Sequence, residues 1–303
     1  MGASHGRARA RPLAVRFRQA HRAGRPFGRR ASTVQAEPAA SPIAPTGRRW
    51  ESAIGPLLDA HDGRLWRAHS DAVNGALVDR LLQGVACDRL LKTDLFDEAM
   101  DAGLYPRLRE RSRQVVAIDV APSVLSAAKA RYPALGVVAA DVRRLPFADG
   151  SFDVVVSNST LDHFGTRAEL RDALAGLGRL LRPGGRLLVT LDNLRHPAVA
   201  LRNALPHRWL ERLGLVPYPV GATMGPAGLE RALLDAGFRI VEMTPILHCP
   251  RALAVRRARA LERREAPGLH ARFLERLARW ERLQTLPTRY LTGHYVAVLA
   301  QKP

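Results

Sequence analysis

QVVAIDV (114–120), GVVAAD (136–141), FDVVVSN (152–158) and GRLLVTLDN (185–193) are four short apolar bursts, each carrying an acidic or amide residue at its end. Bursts of this length, rich in valine and separated by helical stretches, suit a parallel sheet whose strands are buried on both faces. Between them, PSVLSAAKARY (122–132) reads as a crossover helix, with proline at a first turn where a missing amide hydrogen costs nothing. Leu170, Leu174, Leu177 and Leu181 form one helical stripe from Glu169 to Leu181, and Pro183-Gly184-Gly185 ends it before the next strand. Strand and helix in alternation imply right-handed crossovers, a doubly wound and mostly parallel Rossmann-like α/β fold. In such sheets ligands bind beyond the carboxyl ends of the strands, so Asp119, Asp141, Asn158 and the Asp192–Asn193 pair are expected on one rim.

Working outward, Leu65, Trp66, His69, Val73, Leu77 and Leu81 recur at helical spacing ahead of CDRLLKTD (87–94), the expected first strand. DEAMDAGLYPRLRERSR (97–113) is the expected first crossover helix. Beyond Asn193 comes a long apolar and basic connection that can act as a lid. A helix from Leu229, a strand from Phe238, a helical insertion and a final strand over His294–Ala300 follow. The expected organisation is a disordered basic arm over 1–48, a helical cap over 49–86, and a main domain over 87–303 with a lid at 194–225 and an insertion at 251–288. In the insertion Phe273, Leu277, Trp280 and Leu283 make an apolar face that reads as core packing, with Arg272, Arg276, Arg279 and Arg282 pointing elsewhere.

The chain has 303 residues, 47% of them hydrophobic and 25% charged, the balance of a protein that folds around an apolar core. No apolar run is long enough to span a bilayer and no apolar leader follows the arginines of the start, so a cytoplasmic protein is expected. Cys87 and Cys249 lack the paired spacing of a zinc site and read as buried thiols; no metal is expected. The formal charge is +19. Eleven arginines against Glu37 place +10 of it in the first fifty residues, which reads as a solvated arm rather than a nucleic-acid interface. A small-molecule partner is expected, with nucleic acid disfavoured and peripheral membrane contact left open.

The strand ends carry the chemistry. Asp119 precedes a helix start, where a carboxylate can accept from two ribose hydroxyls, and Asp141 with Val142 can accept from an adenine amine while covering the ring. Together they describe an adenosine, and they stand with LPFADGSFDVVVSNSTLDHF and LLRPGGRLLVTLDN. On these residues the chain resembles the class I S-adenosylmethionine-dependent methyltransferases, above all the branch that methylates small molecules such as quinones, over about Leu90 to Asn193. The resemblance implies a seven-stranded sheet with its last strand antiparallel, and S-adenosylmethionine as cofactor. It implies Asp119 and Val120 at the ribose, Asp141 and Val142 at the adenine, and Asn158 with Ser159 near the reacting methyl. Asp153 matches a strand-start acid of structural role.

One feature departs from that family. Where a glycine-rich turn brings backbone close to the methionine part of the cofactor, this chain has LLKTDLFDEAMDAG (90–103). Asp94, Asp97 or Glu98 could pair with the cofactor's ammonium instead, and Phe96 could obstruct it. His163, beside Asp162 in the loop after the fourth strand, is the candidate general base; His69, Asp71, His196 and His207 are weaker ones. The expected activity is methyl transfer to an oxygen or carbon of a small apolar acceptor. Two alternatives stand beside it: an RNA methyltransferase, which the basic arm favours, and a methyltransferase-like binding protein without turnover, which the altered turn favours.

Overall fold

Seven strands run in the order β3-β2-β1-β4-β5-β7-β6, with only β7 antiparallel to its neighbours, as expected. The computed structural model describes residues 47–48, 50–52, 54, 63–205, 221–264 and 266–303. The basic arm and the middle of the lid, with His207, therefore lie outside the described residues. All described residues belong to one compact unit, 36–303.

The strands are β1 (Arg89–Lys92), β2 (Gln114–Asp119), β3 (Gly136–Ala139), β4 (Phe152–Asn158), β5 (Leu181–Asp192), β6 (Arg239–Ile246) and β7 (Tyr295–Gln301). β1, four residues long, lies between β2 and β4, and its Leu90 and Leu91 are fully buried. Leu188, Val154 and Val156 continue the same core under the helices, so the apolar bursts are buried because both faces are covered.

The helices follow: α1 (Arg64–Leu81), α2 (Phe96–Met100), α3 (Tyr105–Arg111), α4 (Pro122–Arg131), α5 (Arg167–Leu180), α6 (Pro197–Ala204), α7 (Pro226–Asp235), α8 (Arg251–Glu262), α9 (Pro267–Trp280) and the short α10 (Arg289–Thr292). The crossover expected as one helix over 97–113 is two. Gly103 sits at φ 58°, a left-handed value that ends α2 and lets Glu98 cap the start of α3. α5 begins with a reciprocal Thr166–Glu169 capping box, worth about 1 kcal/mol, and buries its leucine stripe. Asp153 has the structural role the resemblance implied: one oxygen accepts from the amides of Asp88 and Arg89 and the other pairs with Arg182.

Two expectations need correcting in detail. Trp280 does not join the core: it is 43% exposed, while Phe273 and Leu277 of the same helix pack inward. Cys249 is buried, whereas Cys87 is only half-buried. Among the described residues no helix is long and apolar enough to cross a membrane, and no group of side chains could hold a metal ion.

Candidate active site at the carboxyl rim of the sheet

Asp119 ends β2 opposite Ala139 of β3, and its carboxylate turns toward the loop after β1. One oxygen accepts from the amide of Leu95 (3.0 Å) and the other from Ala121 (2.9 Å), which leaves each oxygen a free lone pair. Burial pushes this carboxyl up to about 6, against the lowering effect of those two amides. The Ser123 hydroxyl, at the start of α4, is buried and has no hydrogen-bond partner, and the Ser123 amide donates to Glu51 (3.3 Å). A carboxylate with spare lone pairs at a strand end fits the sugar of a nucleoside. Val120 is half-buried beside it.

Asp141 lies just past β3, next to the buried Val142. Its carboxylate is clasped by Arg143, through the backbone amide (2.9 Å) and through the guanidinium (2.5 Å at the shortest). Burial alone would raise the acid, but these bonds hold it below its usual range. Arg143 also reaches Glu169 and lies over Phe164, so it links the end of β3 to the start of α5. Sequence reasoning passed over Arg143, although an Asp two residues ahead of an Arg is the pattern of a local side-chain turn.

The turn after β1 is built on Lys92. Its ammonium is buried and donates to Asp94 (3.0 Å to the carboxylate, 2.9 Å to the carbonyl) and Glu98 (2.9 Å). Burial pulls Lys92 down, but Asp94 and Glu98 more than offset it and hold it charged. Glu98 is spent on Lys92 and on the amides of Leu104 and Tyr105, so it is not available to a ligand. Asp94 also accepts from Thr160 (3.3 Å), which ties the turn to the end of β4. Phe96 packs on the core cluster rather than standing free. Burial raises Asp97 to about 8 and Asp71 to about 6, with the charge of Asp71 adding to the rise of Asp97 and that of Glu98 to the rise of Asp71.

At the ends of β4 and β5 the Asn158 amide oxygen accepts from Thr190 (2.8 Å), and Ser159 takes φ 51°, a strained value for a residue with a side chain. Ser159 donates to Asp162 (2.9 Å), and the same oxygen accepts the amide of Asp192 (3.1 Å). His163, on a 3-10 turn (Leu161–His163), keeps its side chain 27% exposed, with Nε2 3.9 Å from the other Asp162 oxygen. Trp50 meets the His163 ring edge-on at 4.9 Å between centroids. Burial and the charge of Asp192 raise the Asp162 carboxyl, with His163 opposing.

Asp192 pairs with Arg202 of α6 (2.5 Å) and with His294 (3.4 Å). Burial would raise it, yet His294 and Arg202 together hold it well below the carboxylate range. His196 packs edge-on to His294, and burial drops its ring to about 4, so it is neutral at pH 7. Several inaccessible atoms in this corner have no hydrogen-bond partner: one oxygen of Asp162, His196 Nδ1 and Arg202 Nε. Most buried polar atoms are paired, so such a cluster marks a place built for polar groups from outside the chain. Arg202 and His294 were missed in sequence; only the antiparallel register, Asp192 opposite Tyr295, brings His294 to the rim.

The structure thus brings Asp94, Asp119, Asn158, Ser159 and His163 to one side of the sheet end, with Asp141 and Val142 beside them. His69 is not among them: it is buried on α1 against Cys249 (3.7 Å) and Trp66.

Comparison with known proteins places these features. Residues 101–189 match the family model of a methyltransferase domain, a match that begins after β1 and its lysine-built turn. The chain is 38% identical over 130 residues to the demethylmenaquinone methyltransferase of Beutenbergia cavernae, covering 42% of this chain and 46% of that protein. It is 34% identical over 179 residues to the malonyl-[acyl-carrier protein] O-methyltransferase of Serratia marcescens, covering 47% of this chain and 69% of that protein. The chain spans about half the length of the first of the curated relatives it matches. Among solved structures, the [4+2]-cyclase SpnF superposes with a TM-score of 0.56 at 20% identity, over 85% of this chain and 95% of that one, a likeness of fold.

Proposed function

This chain belongs to the class I S-adenosylmethionine-dependent methyltransferases, and on that premise we propose that it transfers a methyl group to an oxygen or carbon of a small, apolar acceptor. The observation that carries the reading is the half-buried Asp119 carboxylate at the end of β2, with a lone pair free on each oxygen, and the unpartnered Ser123 hydroxyl in the first turn of the helix that follows. When bound, S-adenosylmethionine supplies an electrophilic methyl. Asp119 and Val120 would hold its ribose, and Asp141 with Val142 its adenine once Arg143 lets go of the carboxylate. Asp94, Asn158 and Ser159 would line the way toward the reacting end. Relatives named for demethylmenaquinone and malonyl-[acyl-carrier protein] methylation support a small acceptor.

For methyl transfer the protein has to align the acceptor and exclude water. His163, part exposed and beside Asp162, would take the acceptor's proton at Nε2, and the Asp162 oxygen would steady the imidazolium.

Calorimetric titration with S-adenosylhomocysteine tests the reading. The wild type binds; Asp119→Ala loses binding at least about thirtyfold with an unchanged circular dichroism spectrum, as for a lost pair of hydrogen bonds to a charged group. Undiminished affinity in Asp119→Ala would overturn the assignment. His163→Ala should keep cofactor affinity and lower kcat by about a hundredfold or more on a hydroquinone acceptor. A binding protein without turnover is the second reading, supported by Lys92 standing where the family has glycines; it predicts cofactor binding with no methylated product.

A further inference from the structure

We propose that the α8–α9 insertion is a docking surface for an anionic lipid membrane. The charge of the chain is confined to two places. From Arg251 to Thr292 there are eleven arginines and four glutamates, a net +7; with the +10 of the first fifty residues this leaves +2 for the rest of the chain. A bias toward arginine across the whole chain would not leave the sheet domain balanced and the insertion strongly basic.

Two of the four glutamates of this segment are turned inward. Glu262 accepts from the amides of Gly63 (2.8 Å) and Leu65 (2.7 Å), and Glu281 from those of Leu247 (3.2 Å) and His248 (3.0 Å). Every arginine from Arg256 to Arg282 is exposed, and none is in an ion pair with a described residue. These arginines therefore lack the ion pairs that Arg107 and Arg111 make with Asp79.

Apolar side chains are interleaved with this charge. Of the eight large hydrophobic residues exposed among the described residues, five lie in the same segment: Leu253 (67%), Leu269, Trp280, Leu286 and Leu291. On α9 the inward face is Phe273 and Leu277; Leu269, Arg272, Arg276 and Trp280 follow at helical spacing along one flank outside it. Cationic residues with leucines and a tryptophan along a helix flank suit the headgroup boundary of a bilayer, where the rings and alkyl groups enter and the guanidinium groups meet lipid phosphates. A single-stranded nucleic acid would call for stacking aromatics, and Trp280 is the one aromatic among these exposed residues.

The surface also borders the rim. Asn193, just past the end of β5, donates to the carbonyls of Tyr290 (2.7 Å) and Gly293 (2.9 Å), so α10, with Leu291 on it, is tied to the Asp192–His294 corner. Docked in this way the protein would present that corner to lipid, which suits a membrane-dissolved acceptor; this last step alone rests on the methyl-transfer reading.

The test is co-sedimentation of the full chain with vesicles of phosphatidylcholine, with and without phosphatidylglycerol, in the absence of cofactor or acceptor. The wild type should bind the anionic vesicles, weakly or not at all the neutral ones, and salt should release it. Arg272→Glu with Arg276→Glu should lower partitioning about tenfold or more, with melting temperature unchanged because both side chains are solvated; Arg276→Glu alone serves if the pair fails to fold. Trp280→Ser should weaken binding severalfold and leave its salt dependence. A chain lacking residues 1–46 should keep the dependence on Arg272 and Arg276. Equal binding by the charge variants, equal binding to neutral vesicles, or retention on a single-stranded oligonucleotide with none on vesicles would overturn the proposal. Because no turnover is measured, failure here would leave the methyl-transfer reading untouched.

Discussion

The two halves of the rim solve opposite problems. Around β1 the buried groups serve one another: Lys92 with Asp94 and Glu98, and Glu98 with two amides of α3. Around β4 and β5 the polar groups are only partly served, and Asp162, His196 and Arg202 each keep an atom without a partner. The first half has replaced a flexible glycine turn with an internal ion pair, which fixes the turn's shape before any ligand arrives. The second half keeps unmet hydrogen-bonding capacity that a polar group of a ligand can take up. A satisfied network is a structural brace and an unsatisfied one a binding surface, even where the residue types are the same.

The sharpest way to break this contrast is at Lys92. Lys92→Met leaves Glu98 uncompensated in the core and should destabilise the fold by about 3–5 kcal/mol, read from the urea midpoint. Lys92→Met with Glu98→Gln should recover much of that loss. A cost below about 1 kcal/mol for the single change would mean that Lys92 is no brace.

Asp192→Asn comes next, at about 2–3 kcal/mol, since Arg202 and His294 lose a charged partner but keep a neutral acceptor. The folded state holds Asp192 below its ordinary value, so its stabilising effect is present above about pH 4 and fades as acid protonates it. The stability gap between wild type and Asp192→Asn should accordingly close below about pH 4 in urea titrations.

A smaller effect concerns the ligand. Asp119 is pushed up to about 6, and hydroxyl donors favour its ionised form. Affinity for S-adenosylhomocysteine should be full above pH 6 and fall by up to about tenfold, 1.4 kcal/mol, per unit below it. A flat profile from pH 5 to 8 would remove Asp119 from the contact.

Least affected should be Asp162→Asn. The amide can still accept from Ser159 and the Asp192 backbone, so stability should change by less than about 1 kcal/mol while kcat falls. Burial raises the Asp162 carboxyl, so the folded wild type loses stability as pH climbs through its titration, and the asparagine variant should lack that slope. A large loss of stability with unchanged kcat would make the corner structural, like the other half.

Much of the sheet was legible in the chain because fully buried strands must be continuous apolar runs and their ends must be polar. Asp119, Asn158 and Ser159 could be placed on the rim for that reason. The division of 97–113 into two helices was less legible: Gly103 needed a left-handed turn only because Glu98 lies beneath it. Trp280 shows the limit of periodicity. Its spacing from Phe273 and Leu277 is helical, but an apolar stripe wider than its seat leaves one edge in solvent. Arg143 and Lys92 were invisible as site residues because a charged side chain's partner is decided by reach and burial, and sequence spacing encodes neither.

By itself the sequence determined the strands, the parallel crossovers and the acids at the strand ends, since these follow from local apolar patterning and from the polar ends that buried strands need. Only the tertiary structure decided which charges are spent. It is the antiparallel return of β7 that carries His294 to Asp192, and the fold of α2 over β1 that closes Lys92 on Glu98. Hydrophobic pattern is a one-dimensional signal, whereas the pairing of charges depends on distances between segments that the chain brings together only once it has folded.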